Sequence, residues 1–134
     1  MIAVLDASAA IELLLKRPHA RAIRTPLAEA DCVLAPDLFV PEVTNALWKY
    51  LRAGAISVDD AQRAAETAVQ LVDEFTSSHI LQREALSVAH AWAHPVYDAV
   101  YIVLARRNAA TLITMDTRLR SLASSLQISV LNND

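Results

Sequence analysis

Asp6, Glu42, Asp98 and Asp116 each stand where a predicted strand ends or a predicted helix begins. Three of them interrupt strongly apolar sequence: IAVLDASAAIELLL, HPVYDAVYIVLA and LITMDTRL. Removing a lone carboxylate from water is costly, so acids in such surroundings need a cation or a set of hydrogen-bond donors. Gathered in one place, the four would make a hard, oxygen-only donor set of the kind that selects Mg²⁺ or Mn²⁺. The chemistry this suggests is metal-dependent reaction at a phosphodiester. Taken singly, each acid also has an ordinary explanation. Asp116 could cap the helix that follows it, Asp98 and Glu42 could complement a helix dipole from its first turn, and Asp6 could close an Asx turn. Asp98 resists that explanation best, because Val96 to Ala105 is otherwise uncharged and apolar nearly all round, as in a buried helix. Asp59 and Asp60 read as first-turn charges, and Asp73 and Glu74 as the polar end of an amphipathic helix.

The elements that must position these acids follow from hydrophobic patterning. Ile2 to Leu5, Cys32 to Ala35, His79 to Leu81, Thr111 to Thr114 and Ser129 to Leu131 are short, mostly apolar runs without alternation, as expected of strands covered on both faces. Between them lie helical patterns. Leu38 to Ala53 carries Val40, Val43, Leu47 and Leu51 on one face and ends at Gly54, and Pro41 is tolerated in its first turn. Ser57 and Asp60 resemble a capping box that opens a helix with Ala61, Ala64, Ala68, Leu71 and Phe75 on one side. Alternating strands and helices imply an α/β sandwich with a mainly parallel, five-stranded sheet. In such sheets ligands bind beyond the carboxyl ends of the strands, where all four acids can converge.

Length and composition narrow the classes. At 134 residues and 54% hydrophobic content, the chain fits one domain with a substantial core, with no repeat and no low-complexity segment. One cysteine, Cys32, excludes an internal disulfide and reads as a buried core thiol suited to a reducing compartment. The mean hydropathy is +0.29. Even so, charges interrupt every apolar run before it reaches a membrane span, and MIAVLD lacks the basic start of a signal peptide, so the expectation is a cytoplasmic protein with no membrane partner. Without the four acids the net charge of −3 becomes +1, so an acidic chain is no obstacle to a nucleic-acid substrate. Lys16, Arg17, His19, Arg21 and Arg24 cluster in one segment and either track phosphates or form a solvated helix face.

The segments VLDASAAIELLL, PDLFVPEVTNAL, PVYDAVYIVLA and LITMDTRL, in this order and spanning nearly the whole chain, resemble the four signature blocks of PIN-domain ribonucleases, most closely the small VapC-type toxins of toxin–antitoxin pairs. The resemblance implies a PIN-like sandwich over residues 1–134 and an Mg²⁺-binding, catalytic cluster of Asp6, Glu42, Asp98 and Asp116. Ser8 and Thr114 match hydroxyl positions that accompany the cluster, and Asn45 matches a frequent polar neighbour. An RNA substrate, a cognate antitoxin and a homodimer are implied as well. In such a site Asp6, Asp98 and Asp116 are the principal ligands, and Glu42 completes the set directly or through water. Ser8 and Thr114 orient carboxylates or waters. Lys49, on the face of the helix that carries Glu42 and Asn45, is placed to meet a phosphate, whereas Arg52 reads as solvated.

Other chemistries lack their motifs. His90 and His94 are spaced for zinc, yet no Glu follows His90 and no cysteine is near. Phosphate-binding loops, dinucleotide fingerprints and nucleophile elbows are absent from the sequence. Trp48, Trp92 and Phe39 read as core or interface residues before base-stacking ones. Two alternatives stay open: an acid-cluster phosphatase or receiver domain, the phosphatase weakened by Ser8 at the place of a second Asp and the receiver by the lack of a lysine near the last strands, and a PIN-like module that binds RNA without cutting it.

Overall fold

The computed structural model describes residues 1–132. In chain order, β1 (Ile2–Leu5) leads into α1 (Ala7–Leu14) and α2 (Ala20–Glu29), and β2 (Cys32–Pro36) into α3 (Phe39–Arg52) and α4 (Val58–Gln70). Then β3 (Glu74–Thr76) leads into α5 (Ser78–Trp92) and α6 (Val96–Arg107), and β4 (Thr111–Ile113) into α7 (Thr117–Ser125). The four strands form one parallel sheet in the order β3-β2-β1-β4. Both faces of that sheet are covered. Ala3 and Leu5 of β1 pack into one core with Ile11, Ile23, Phe39, Val43 and Leu47, while Val4 between them joins a second core with Leu81, Ile102, Leu104 and Leu119. A strand buried on both sides has no polar position to alternate, which is why the strand runs read as continuously apolar.

The helix ends behave as their residues dictate. Gly54 adopts φ +72, its N–H bonds Leu51 O at 3.0 Å, and the Ala55 N–H bonds Tyr50 O at 2.9 Å, so the last carbonyls of α3 are satisfied by a left-handed cap. Ser57 Oγ accepts from the Asp60 N–H at 3.1 Å and opens α4.

Several sequence expectations are corrected. His79 to Leu81 lies inside α5, because Leu81, Ala85 and Val88 recur at helical spacing and are buried together. The strand in that region is instead Glu74–Thr76, three residues at the sheet edge, and it takes Phe75 out of the helix assigned to it. Asp73 is not a solvated helix end: its Oδ2 accepts from the Val33 N–H at 2.7 Å. The fifth strand, Ser129 to Leu131, is reduced to a single parallel bridge between Leu112 and Val130. Cys32 is only half-buried. Phe39 is core, while Trp48 and Trp92 are exposed, which removes the core and leaves the interface half of their expectation. Among the described residues no helix is long and apolar enough to cross a membrane.

Candidate active site

Parallel register brings the carboxyl ends of β1 and β4 side by side, with Leu5 opposite Ile113, and the next N–H, that of Asp6, donates to Ile113 O at 3.0 Å. The Asp6 carbonyl then accepts from the Ala9 and Ala10 N–H groups as α1 begins. Its side chain is therefore fixed at a strand–helix junction, only 7% exposed. Ser8 Oγ donates to Asp6 Oδ2 at 2.5 Å and Thr114 Oγ1 donates to the same oxygen at 2.7 Å. Each hydroxyl in turn accepts a backbone N–H, Ser8 from Met115 at 2.9 Å and Thr114 from Asp116 at 3.0 Å. With each hydroxyl proton committed to Asp6, the 3.2 Å contact between Ser8 and Thr114 holds the two oxygens against each other rather than making a third bond. The arrangement fixes the Asp6 carboxylate and the turn that carries Asp116.

Asp116 caps α7: its Oδ1 accepts from the Arg118 N–H at 2.9 Å and the Leu119 N–H at 3.4 Å. The ordinary reading of this acid is thus correct, and it also lines the cavity described next. Glu42 lies in the first turn of α3, where its Oε1 accepts from the Tyr101 hydroxyl at 2.7 Å. Asp98 lies in the first turn of α6, with His94 Nδ1 3.6 Å from its Oδ2, too long for a hydrogen bond. Four distant segments thereby bring Asp6, Glu42, Asp98 and Asp116 to the wall of one cavity of about 450 Å³, along with Ser8, Asn45 and Lys49. Thr114 sits buried behind Asp6.

Electrostatically, none of the four acids is paired with a lysine or arginine among the described residues. Burial raises the Asp6 carboxyl above its ordinary range; the Ser8 and Thr114 hydrogen bonds oppose that rise, and neighbouring Asp116 adds to it. Burial likewise raises Glu42, against the Tyr101 hydrogen bond and with the added repulsion of Asp6, Asp98 and Asp116. Among the described residues Asp6, Glu42 and Asp116 make no ion pair. No three carboxylate, histidine or cysteine groups there stand close enough to grip one ion directly. The donor set is nonetheless all oxygen, the chemistry of a hard divalent cation.

Sequence reasoning missed Tyr101, Glu12 and Tyr50 of this cavity, and left Arg17 between tracking phosphates and a solvated face. Tyr101 reads as one more apolar residue of α6, and its hydroxyl is informative only once α3 is known to cross it. Glu12 reads as a charge interrupting a greasy helix, but it is buried and bound to Arg17 and His19. Arg17 and Tyr50, bonded to each other, complete that wall.

The same arrangement of chain is found in known proteins. A family model described as the PIN domain matches residues 3–124. The chain belongs to the PIN-domain family. Among curated PIN relatives it is 34% identical to Ribonuclease VapC3 of Mycobacterium tuberculosis, covering 87% of this chain and 83% of that one. It is 29% identical to Ribonuclease VapC3 of Pyrobaculum aerophilum, covering 87% and 90%. In three dimensions it resembles a solved protein from Pyrobaculum aerophilum with a TM-score of 0.75 and 23% identity over 97% of this chain and 83% of that one. It also resembles a toxin–antitoxin complex from Klebsiella pneumoniae, with a TM-score of 0.71 and 17% identity over 98% of each chain. At such identities these two similarities establish the PIN fold alone.

Proposed function

We propose that this PIN-domain chain is a metal-dependent endoribonuclease and the toxin of a toxin–antitoxin pair. One observation carries the reading: four carboxylates from four separate segments line a single cavity, and none of them is paired with a lysine or arginine among the described residues. Ribonuclease VapC3 from two organisms is similar along most of the chain, which favours RNA as the substrate. Asp6, Asp98 and Asp116 would hold Mg²⁺ or Mn²⁺, with Glu42 completing the set. When bound, the ion supplies Lewis-acid chemistry, activating water and stabilising charge on the phosphate. Ser8 and Thr114 hold Asp6 in one orientation, Tyr101 does the same for Glu42, and Asn45 and Lys49 face the substrate from α3.

Among the described residues no histidine lines the cavity, so the imidazole acid–base pair that commonly serves attack by the RNA's own 2′-hydroxyl is missing, and water is the proposed nucleophile. The products are therefore a 5′-phosphate and a 3′-hydroxyl, and a 2′,3′-cyclic phosphate end would refute this route. The decisive experiment is cleavage of RNA by the purified chain with Mg²⁺, with EDTA, and with Asp98→Asn. Loss of cleavage in EDTA and in the variant supports the reading; undiminished cleavage in EDTA overturns it. RNA binding without cleavage in any metal would make the chain a non-catalytic PIN module.

Two partners belong to the same proposal. The similarly folded Klebsiella pneumoniae structure is a toxin–antitoxin complex, and a carboxylate-lined cavity is a natural receptor for an arginine of a cognate antitoxin in the cytoplasm. Weaker binding of that antitoxin to Asp98→Asn is the expected result. A homodimer is expected from exposed apolar side chains such as Leu86, Trp92 and Tyr97, and light scattering over a concentration series tests it.

A further inference from the structure

One wall of the cavity is built from side chains that the carboxylate site does not use. Glu12 is buried, and its Oε2 accepts from Arg17 Nε at 3.0 Å while its Oε1 accepts from the His19 backbone N–H at 3.0 Å. Arg17 is then gripped a second time, donating from Nη1 to the Tyr50 hydroxyl at 2.9 Å, with its guanidinium 6.0 Å from the centre of the Tyr50 ring. The side chain nevertheless remains 47% exposed. Of the five N–H groups of a guanidinium, these bonds use two, and the other three have no partner among the described residues.

That combination is unusual for a solvated surface cation. A free arginine samples many rotamers, whereas this one is held in a fixed plane, and a planar fork held in advance loses less freedom when it binds a phosphate. Burying a carboxylate to hold it carries a desolvation cost that a surface ion pair would avoid. Position matters as much as order. Arg17 shares the cavity with the four acids, and Lys49 and Tyr50 lie on the same face of α3 as Glu42 and Asn45. At about 1.5 Å of rise per residue, Lys49 is two helical turns, roughly 10 Å, along α3 from Glu42. Lys16 and Arg24, cations of the same basic segment as Arg17, line a different cavity.

We propose that Arg17, oriented by Glu12 and Tyr50 and joined by Lys49, is a phosphate subsite for the substrate strand beside the phosphate that is cleaved. The trough between α1 and α3 is thereby divided: its carboxylate end takes the reacting phosphate and its cationic end takes a neighbouring one. Arg17 is the contacting residue, and Glu12 and Tyr50 are positioning residues. The subsite rests on the ribonuclease reading above, because it needs a polyanionic strand in the cavity.

The test uses fluorescence anisotropy of a short single-stranded RNA with the non-cleaving Asp98→Asn chain in EDTA, over a salt series. Arg17→Ala in that background is expected to weaken binding about tenfold and to lower the salt slope by about 0.7, the loss of one phosphate contact. Arg24→Ala removes the same charge outside the cavity and should change neither by comparable amounts. Arg17→Lys should recover the slope but not the full affinity, and Tyr50→Phe, which removes one anchor without altering packing, should weaken binding and leave the slope intact. In the cleaving chain with Mg²⁺, Arg17→Ala should raise KM and leave kcat within about twofold. Equal effects of Arg17→Ala and Arg24→Ala, or parental binding by Arg17→Ala, would overturn the subsite while the ribonuclease reading stands. If the parent chain neither binds nor cuts RNA, the ribonuclease reading fails first and the subsite falls with it.

Discussion

The Tyr101 hydroxyl donates to Glu42 Oε1 at 2.7 Å, joining two helices whose paired residues are 59 positions apart in the chain. Burial holds the Tyr101 phenol far above its usual range, and the charges of Asp6 and Glu42 push the same way, so it is a neutral donor throughout the working pH range. Tyr101→Phe keeps the ring in the core and removes only that donor. The expected loss is about 1.5–3 kcal/mol of stability, as for a hydrogen bond to a charged group. The Glu42 carboxyl should also rise further, moving the acidic limb of the pH–rate profile upward. Chemical denaturation and a pH–rate series check both effects. An unchanged profile would show that Glu42 does not depend on Tyr101.

The raised carboxyls give a pH dependence of definite sign. A carboxyl whose folded pKa lies above its unfolded one binds more protons when folded, so its contribution to stability falls as pH rises from the unfolded value through the folded one. Asp6 and Glu42 are both of this kind. The metal-free chain should therefore lose stability relative to Asp6→Asn as pH climbs above the ordinary carboxylate range of about 4. Mg²⁺ should reverse the trend, raising the Tm of the parent more at high pH than at low, because the ion binds the deprotonated acids. Thermal melts of both chains across pH, with and without Mg²⁺, are the check. A Tm difference that stays flat with pH would contradict the assignment.

How much of this was legible beforehand depended on whether the signal was local. Asp6, Glu42, Asp98 and Asp116 were visible because each carries its own contrast, a charge in apolar sequence or at an element boundary. The two-sided sheet was visible because β1 and β2 leave no polar position to read and β4 only Thr111 at its start. The β3 strand was not, since Glu74, Phe75 and Thr76 sit at an edge and are held by backbone pairing to Leu34, Ala35 and Pro36. His79 to Leu81 was misread as a strand because three residues cannot separate the two periodicities, whereas Leu81, Ala85 and Val88 together can. Glu12 and Tyr50 escaped, and Arg17 was named only as one of a basic cluster, because their joint meaning depends on α1 packing against α3, a relation between segments that no local window contains.

Asp116 serves a structural and a proposed chemical role at once, and two substitutions separate them. Asparagine caps a helix about as well as aspartate, so Asp116→Asn should leave stability nearly unchanged while losing most of the cleavage. Asp116→Ala should lose the cleavage and also about 1 kcal/mol of stability, because the Arg118 and Leu119 N–H groups lose their acceptor. Equilibrium unfolding alongside a cleavage assay distinguishes them. If Asp116→Asn cleaved as the parent does, Asp116 would be a cap and nothing more.

Asp73 offers the complementary separation, stability without chemistry. Its N–H donates to Val33 O at 2.8 Å while its Oδ2 accepts from the Val33 N–H at 2.7 Å, so the residue satisfies both polar groups of one β2 residue just before β3 begins. Asp73→Ala removes the acceptor and leaves the Val33 N–H without it, at an expected cost of about 1–3 kcal/mol. Asp73 lines a different cavity from the four acids, beside Leu71 and Val33. Below the melting transition, then, the kcat and KM for RNA should match those of the parent chain, even though the transition itself moves to lower temperature. A fall in kcat at full occupancy of the folded state would mean that the β2–β3 edge is coupled to the carboxylate cavity through Leu34 and Ala35. An unshifted transition would mean that water replaces the Asp73 carboxylate at no cost.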